Sequence, residues 1–297
     1  MPSLPGKTAR LLGLDEKALA RWSVRWRALF PHDGLREHQR VPLYHPDVPF
    51  ILITSQKAGS TLGVAWFFQH AGLLSEAKAH HEFVHRYEQE VFLMRPGYMA
   101  DLERAIRERP VLKLVRDPAD RAFSSYMALQ GIDALSPGDH RHGIRRRIAK
   151  SQGLAGPEAQ MPFAAFLAWV AGEDHRRLDG HEARQFNLYE KELPQGAPQL
   201  IRLEETAEAL PAIEERFGLP RTPKSALEAL GASGHYVPKA ADPEGFRRVL
   251  YEGIALPRRG KAPALDRKVL AEDAAVIAHF FKAYGEDYER YGYKPPA

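Results

Sequence analysis

The stretch from Phe50 to Phe68, FILITSQKAGSTLGVAWFF, constrains the fold of this chain more than any other. A short apolar run, Phe50 to Thr54, precedes the polar loop Ser55-Gln56-Lys57-Ala58-Gly59-Ser60-Thr61, and a helical pattern begins near Ser60. An apolar run this short, bounded by turn residues, reads as a buried strand. The loop after it holds what an anion site needs. Gly59 lets the backbone come close to a ligand, Ser60 and Thr61 offer hydroxyls, and Lys57 supplies a mobile positive charge. The N-terminus of the following helix adds unpaired N–H groups and the positive end of a dipole. It is not the nucleotide-triphosphate loop GxxxxGK[ST], because Lys57 precedes the glycine and no glycine stands four residues upstream. An ordinary strand-to-helix turn with a capping serine is the plainer reading of the same residues.

A second stretch repeats the pattern. Val111 to Tyr126, VLKLVRDPADRAFSSY, reads as a strand ending in Arg116-Asp117-Pro118, and Pro118 suits the first turn of a helix carrying Arg121, Ser124, Ser125 and Tyr126. Arg116 at the strand end and Ser124 two turns into the helix can converge on one anionic group. Together the two loops resemble those of the sulfotransferases that use 3'-phosphoadenosine 5'-phosphosulfate (PAPS). In that family a Lys-(Ser/Ala/Thr)-Gly-(Ser/Thr)-Thr loop binds the 5'-phosphosulfate, and an Arg-Asp-Pro-x-x-Arg-x-x-Ser-Ser-Tyr segment binds the 3'-phosphate. The resemblance therefore implies cofactor contacts from Gln56, Lys57, Ala58, Gly59, Ser60 and Thr61, and from Arg116 and Ser124.

Between the loops lies Lys78-Ala79-His80-His81-Glu82-Phe83-Val84-His85. Three histidines and a glutamate in one short segment are a weak signal for zinc. The resemblance implies instead that this segment carries a general base, with His81 and Glu82 the candidates and the sequence unable to separate them. A histidine titrates near ~6.5 and suits base catalysis at neutral pH, whereas a glutamate needs burial or a partner. A row of solvated residues on a strand edge is the reading without chemistry. Further on, His181-Glu182-Ala183-Arg184-Gln185 is similar to the His-x-x-Pro-Gln segment of the Golgi-type carbohydrate branch, with Arg184 in the place of proline. That likeness makes His181 and Gln185 candidates for the acceptor side. Arg258-Arg259-Gly260-Lys261 is a candidate for the Arg-Lys-Gly loop that cytosolic members place over the adenine and 3'-phosphate, adding Arg259 and Lys261 to the cofactor set.

At 297 residues the chain can bury a sizeable core. Strand–helix alternation predicts a single α/β domain, a parallel sheet flanked by helices, over residues 46–297. The resemblance narrows this to the P-loop-like sulfotransferase arrangement, with both loops at the carboxyl edge of the sheet. Residues 1–45 read as a helical lead-in. Residues 131–160 read as a long loop or loose helical insertion with the basic cluster Arg141, Arg145, Arg146, Arg147 and Lys150, either a lid over an acidic sugar or a solvated face. Beyond Pro220 the chain reads as irregular up to Pro263, and a last helix is expected from about Ala264 to Tyr288.

Zero cysteines exclude disulfides and thiolate metal sites and fit a cytoplasmic setting. No apolar run has membrane-spanning length, and MPSLPGKTAR is followed by no apolar signal region, so neither stable membrane insertion nor a signal peptide is expected. A net charge of +4 suits an anionic small molecule and is too weak to argue for nucleic acid.

The expectation is a sulfotransferase moving a sulfuryl group from PAPS to an acceptor hydroxyl on a carbohydrate, by in-line transfer, with fixed cations and no metal. Trp66 and Trp169 would equally suit a pocket for a phenol or lipid. Two other classes stay open: a P-loop-like nucleotide kinase or NTPase, and a non-catalytic protein that binds a nucleotide or another anion.

Overall fold

The computed structural model describes residues 39–194, 196–231, 241–255 and 262–296. The lead-in helix expected in residues 1–45 falls almost wholly outside these, as do Arg259 and Lys261.

The described chain is mixed α/β and mostly helical, around a three-stranded parallel sheet. Strand β1 (Ile51–Ile53) pairs with β2 (Val111–Val115) in the register Ile51 to Val111, and β2 pairs with β3 (Gln199–Arg202) with Val115 opposite Arg202. β1 and β2 are buried throughout, as parallel strands covered on both faces must be. Both expected strands thus lie side by side, and the loops after them open at the same edge.

Helix α1 (Ser60–His70) follows β1, α2 (Leu74–His80) and the single turn α3 (Val84–Tyr87) come next, and α4 (Tyr98–Glu108) leads into β2. A π-helical turn, Glu88–Phe92, continues α3. The segment read as a strand edge is instead the end of α2, a non-helical link at His81, Glu82 and Phe83, and the start of α3. After β2 come α5 (Pro118–Ala128), α6 (His140–Gln152), α7 (Phe163–Gly172), and, past β3, α8 (Thr206–Arg216). Two helices, α9 (Lys224–Gly231) and α10 (Pro243–Tyr251), occupy the span read as irregular. The last helix is divided into α11 (Arg267–Glu272) and α12 (Ala274–Tyr291), because Asp273 breaks the pattern and its carboxylate caps α12 through the N–H groups of Ala275 and Val276.

One apolar cluster surrounds β1, β2, α1 and α4, and a second joins α5, α7, α10 and α12. Trp66 belongs to the first. It is fully buried, stacks on Phe50 at 5.4 Å, and donates its indole N–H to Glu214 at 2.8 Å. Trp169 is buried in the second cluster. Neither tryptophan lines a ligand pocket, because both serve the core. The basic run of residues 141–150 is no loose insertion either. It forms α6, whose Arg145 is wholly buried and donates to the carbonyls of Leu129 (3.0 Å) and Ala159 (2.6 Å). A charge held this way satisfies backbone acceptors at the end of α5 and in the connection to α7.

The sheet centre holds one buried ion pair. Lys113, in the middle of β2, pairs with Glu190 and donates to the carbonyl of Gln185 at 2.6 Å. Tyr291 of α12 donates to the same carboxylate at 3.2 Å.

Candidate active site

The loop between β1 and α1 gets its shape from two left-handed residues. Gly59 has φ 82°, and Lys57 has φ 63°, the one non-glycine residue with positive φ among those described. A lysine held there costs roughly 1–3 kcal/mol, which the surrounding contacts must offset. The absent side chain of Gly59 makes room for protein on one side: a Cβ there would sit 2.5 Å from Leu203 Cδ1. The loop is thus clamped on the residue that follows β3. Gly59 is also the N-cap of α1, and no side chain caps the helix. The capping serine of the plainer reading is absent, so the first-turn N–H groups face outward.

Arginine side chains fix the loop from beneath. Arg121 of α5, wholly buried, donates to the carbonyls of Gln56 (2.9 Å), Ala183 (2.6 Å) and Gly180 (2.7 Å). Arg116, at the end of β2, donates to the carbonyl of Lys57 at 3.1 Å. The two anion loops are therefore bonded to each other through the backbone of one and the guanidinium of the other.

Above them opens a cavity of about 560 Å³. Its polar wall includes Gln56, Lys57, Gly59, Ser60, Thr61, Arg116, Ser124 and His181, and its apolar wall includes Leu62, Leu203, Ala207, Leu210 and Leu227. Apart from Ala58, which is buried beneath the loop, every cofactor candidate in the described residues reaches this one cavity. Burial and the neighbouring Arg141, Arg116 and Arg121 pull the Lys57 pKa down to about 8, against the attraction of Glu182.

His81 and Glu82 stand elsewhere: both are exposed, and neither borders the cavity. His81 turns back on its own backbone, its Nδ1 accepting from the N–H of Phe83 at 2.9 Å. Besides His181, the cavity wall carries His85, at the start of α3. Its Nδ1 lies 2.6 Å from Oε2 of buried Glu88. Burial alone would push the Glu88 pKa up, but Arg40 and His85 overcome it and hold the carboxyl below the usual carboxylate range. Nη2 of Arg40, a donor only, also lies 2.9 Å from Nδ1, but the contact to Glu88 is shorter. An ionised carboxylate only accepts, so Nδ1 is assigned the proton and Nε2 is left with its lone pair. That nitrogen lies 3.2 Å from the hydroxyl of Thr61 and 3.5 Å from that of Ser60. Arg40 completes the group, pairing with Glu88 and donating from Nε to Thr54 at 2.8 Å. Burial and Arg40 lower the His85 pKa, so the imidazole is neutral at neutral pH. The sequence does carry a signal for this pair: His-x-x-Glu at i, i+3 puts both groups on one face of a helix.

His181 and Gln185, grouped by the sequence, are separated by the structure. His181 faces the cavity, with its Nδ1 2.5 Å from Asp179. Gln185 is almost fully buried, and its amide is engaged at both ends by Arg116: Oε1 accepts from the backbone N–H at 3.0 Å, and Nε2 donates to the carbonyl at 2.7 Å. Gln185 does not border the cavity that His181 lines. Between them Glu182 is buried, with Oε2 lacking a hydrogen-bond partner among the described residues. Burial and Asp179 push its pKa up to about 8.

Among the described residues no group of three or more His, Asp or Glu side chains is placed to hold a metal ion, and no helix is long and apolar enough to cross a membrane. No protein family, curated protein or solved structure matches the chain.

The arrangement offers a cationic loop with free helix N–H groups, a second cation with a hydroxyl beside it, and a neutral imidazole backed by a carboxylate. Such a set can bind a ligand with two anionic groups and take a proton from a hydroxyl next to one of them.

Proposed function

We propose that this chain is a sulfotransferase that uses PAPS, built on a P-loop-like α/β scaffold, and that it sulfates a hydroxyl of a carbohydrate acceptor. One observation carries the reading: Lys57 with its loop, Arg116 with Ser124, and His85, backed by buried Glu88, all line a single cavity. The donor set fits a nucleotide with anions at two separate positions, which a single phosphate loop would not require.

PAPS supplies a sulfuryl group on a phosphate leaving group. The protein supplies position and charge, which govern the rate of a loose in-line transfer. Lys57, the N–H groups at the start of α1, and the hydroxyls of Ser60 and Thr61 hold the 5' anion and neutralise charge as the leaving phosphate develops it. Arg116 and Ser124 hold the 3'-phosphate. His85 accepts the acceptor's proton at Nε2, and Glu88 stabilises the imidazolium that forms. The role expected of His81 or Glu82 thus passes to His85.

The test is calorimetric binding of adenosine 3',5'-bisphosphate, beside ATP and AMP, without metal and then with magnesium. Tight binding of the bisphosphate alone is the expected result, followed by sulfate transfer to members of a carbohydrate panel. A preference for ATP with magnesium would replace this reading with a kinase or NTPase.

A further inference from the structure

Gln185 makes polar contacts that join several parts of the fold. Its side-chain amide holds both backbone groups of Arg116. Its carbonyl accepts from the hydroxyl of Ser55 at 2.8 Å and from Lys113 Nζ at 2.6 Å. Its own N–H donates to Asp287 of α12 at 3.0 Å. The sheet explains why such a residue is needed. Pairing of β2 with β3 stops at Val115, so the N–H and carbonyl of Arg116 have no strand partner. Buried backbone groups left that way are costly, and a primary amide can donate to one and accept from the other. Gln185 thus acts as one residue of strand, continuing the β2 ladder for a single step.

We propose that Gln185 is a positioning residue that fixes the separation of the two anion loops, and so makes the site select a nucleotide with two phosphates over the same nucleotide with one. The inference rests on the PAPS reading above. Arg116 is held to Gln185 through its backbone and to Lys57 through its guanidinium. Loosening its backbone moves the second anion site relative to the first. The loop before α1 keeps two supports that do not pass through Arg116 in that event. Ser55 is held by the backbone carbonyl of residue 185, which any substitution retains, and Gln56 by Arg121.

The experiment compares adenosine 3',5'-bisphosphate with adenosine 5'-phosphate by calorimetry on the full chain, in wild type, Gln185→Leu and Gln185→Glu. Wild type binds the bisphosphate more tightly. In Gln185→Leu, which removes both amide bonds, bisphosphate affinity falls about tenfold or more, while the monophosphate changes by less than about twofold. Gln185→Glu keeps the acceptor and loses the donor, and falls between the two. In turnover, KM for the sulfate donor rises and kcat changes far less. Should Gln185→Leu fail to fold, Gln185→Asn, an amide too short to reach Arg116, carries the same prediction. An unchanged ratio of the two affinities in the variants, or an equal loss of both, makes Gln185 merely structural and overturns the inference alone. Equal affinities in wild type overturn the inference and the PAPS reading together.

Discussion

Nδ1 of His85 and Oε2 of Glu88 lie 2.6 Å apart inside the protein, with the other ring nitrogen of His85 on the wall of the cavity that holds the anion loops. A neutral imidazole oriented by a buried carboxylate is a general base in waiting. His85→Gln is expected to lower kcat by about 10²–10⁴ and to leave bisphosphate binding near the wild-type value. Burial and Arg40 shift the His85 pKa down, so the reactive neutral form persists below the ordinary histidine value. The acid limb of kcat against pH therefore lies below about 6.5, and it is absent from the residual activity of the variant. An acid limb above neutrality, or full activity in His85→Gln, returns the base to another residue.

Lys57 sets the other side of the profile. Its pKa in the free protein is about 8, lowered by burial and by three arginines. The charged form, which holds the anion, is lost as pH rises through that value. Thus kcat/KM falls above about pH 8, whereas kcat holds to higher pH, because a bound anion raises the lysine's pKa. Lys57→Arg moves the alkaline limb up and out of range, since guanidinium does not titrate there. Lys57→Ala lowers turnover by about 10²–10³ or more, the scale of losing one main electrostatic stabiliser. Full activity in Lys57→Ala removes the mechanism.

The two loops are legible in the sequence because each joins a short apolar run, a charged turn and a helix start, a pattern that fixes both local geometry and chemistry. β2 begins at Val111, and α5 begins at Pro118, as the pattern predicts. The base is less legible. His81, Glu82 and His85 sit within five residues of one another, and what separates them is burial and the partner Glu88, both products of tertiary packing. Gln185 shows the same limit in another form. Its motif sets it beside His181, yet it faces Arg116 because a strand ends there, and where β3 stops pairing is invisible in the sequence of residues 181–185. Helices α9 and α10 are hidden because Pro, Gly and charge in that span mark ends, while the apolar faces between those ends are short. Asp273 is equally hard to see as a cap inside what reads as one continuous helix.

Glu182 offers a stability test independent of activity. Its carboxyl is buried with an unpartnered oxygen, and its folded-state pKa is raised to about 8. A raised carboxyl pKa means that the fold prefers the protonated form. Below the unfolded value, about 4.3, the group costs nothing, and its penalty grows as pH rises toward about 8. Glu182→Gln keeps the shape without the ionisation. Its melting temperature is expected to match wild type at pH 4 and to exceed it by a margin that widens up to pH 8. A constant difference across that range means that folding does not raise the Glu182 pKa.

The ion pair at the centre of the sheet should behave as a buried pair does when one partner is lost. Lys113 is fully buried in β2, and its charge is matched by Glu190, which Tyr291 and the N–H of Asn187 also hold. Lys113→Met fills the same space and strands the carboxylate, so the expected loss is about 3–5 kcal/mol. Adding Glu190→Gln removes the stranded charge. The double variant should then be more stable than Lys113→Met alone, because the cost lies in the unpaired ion more than in the missing attraction. Urea denaturation of the four proteins of the cycle measures this. Additive losses would mean that water or another cation reaches Glu190 once Lys113 is gone, and that the pair does not hold β2 to the turn at Leu188–Glu192 in the way its geometry implies.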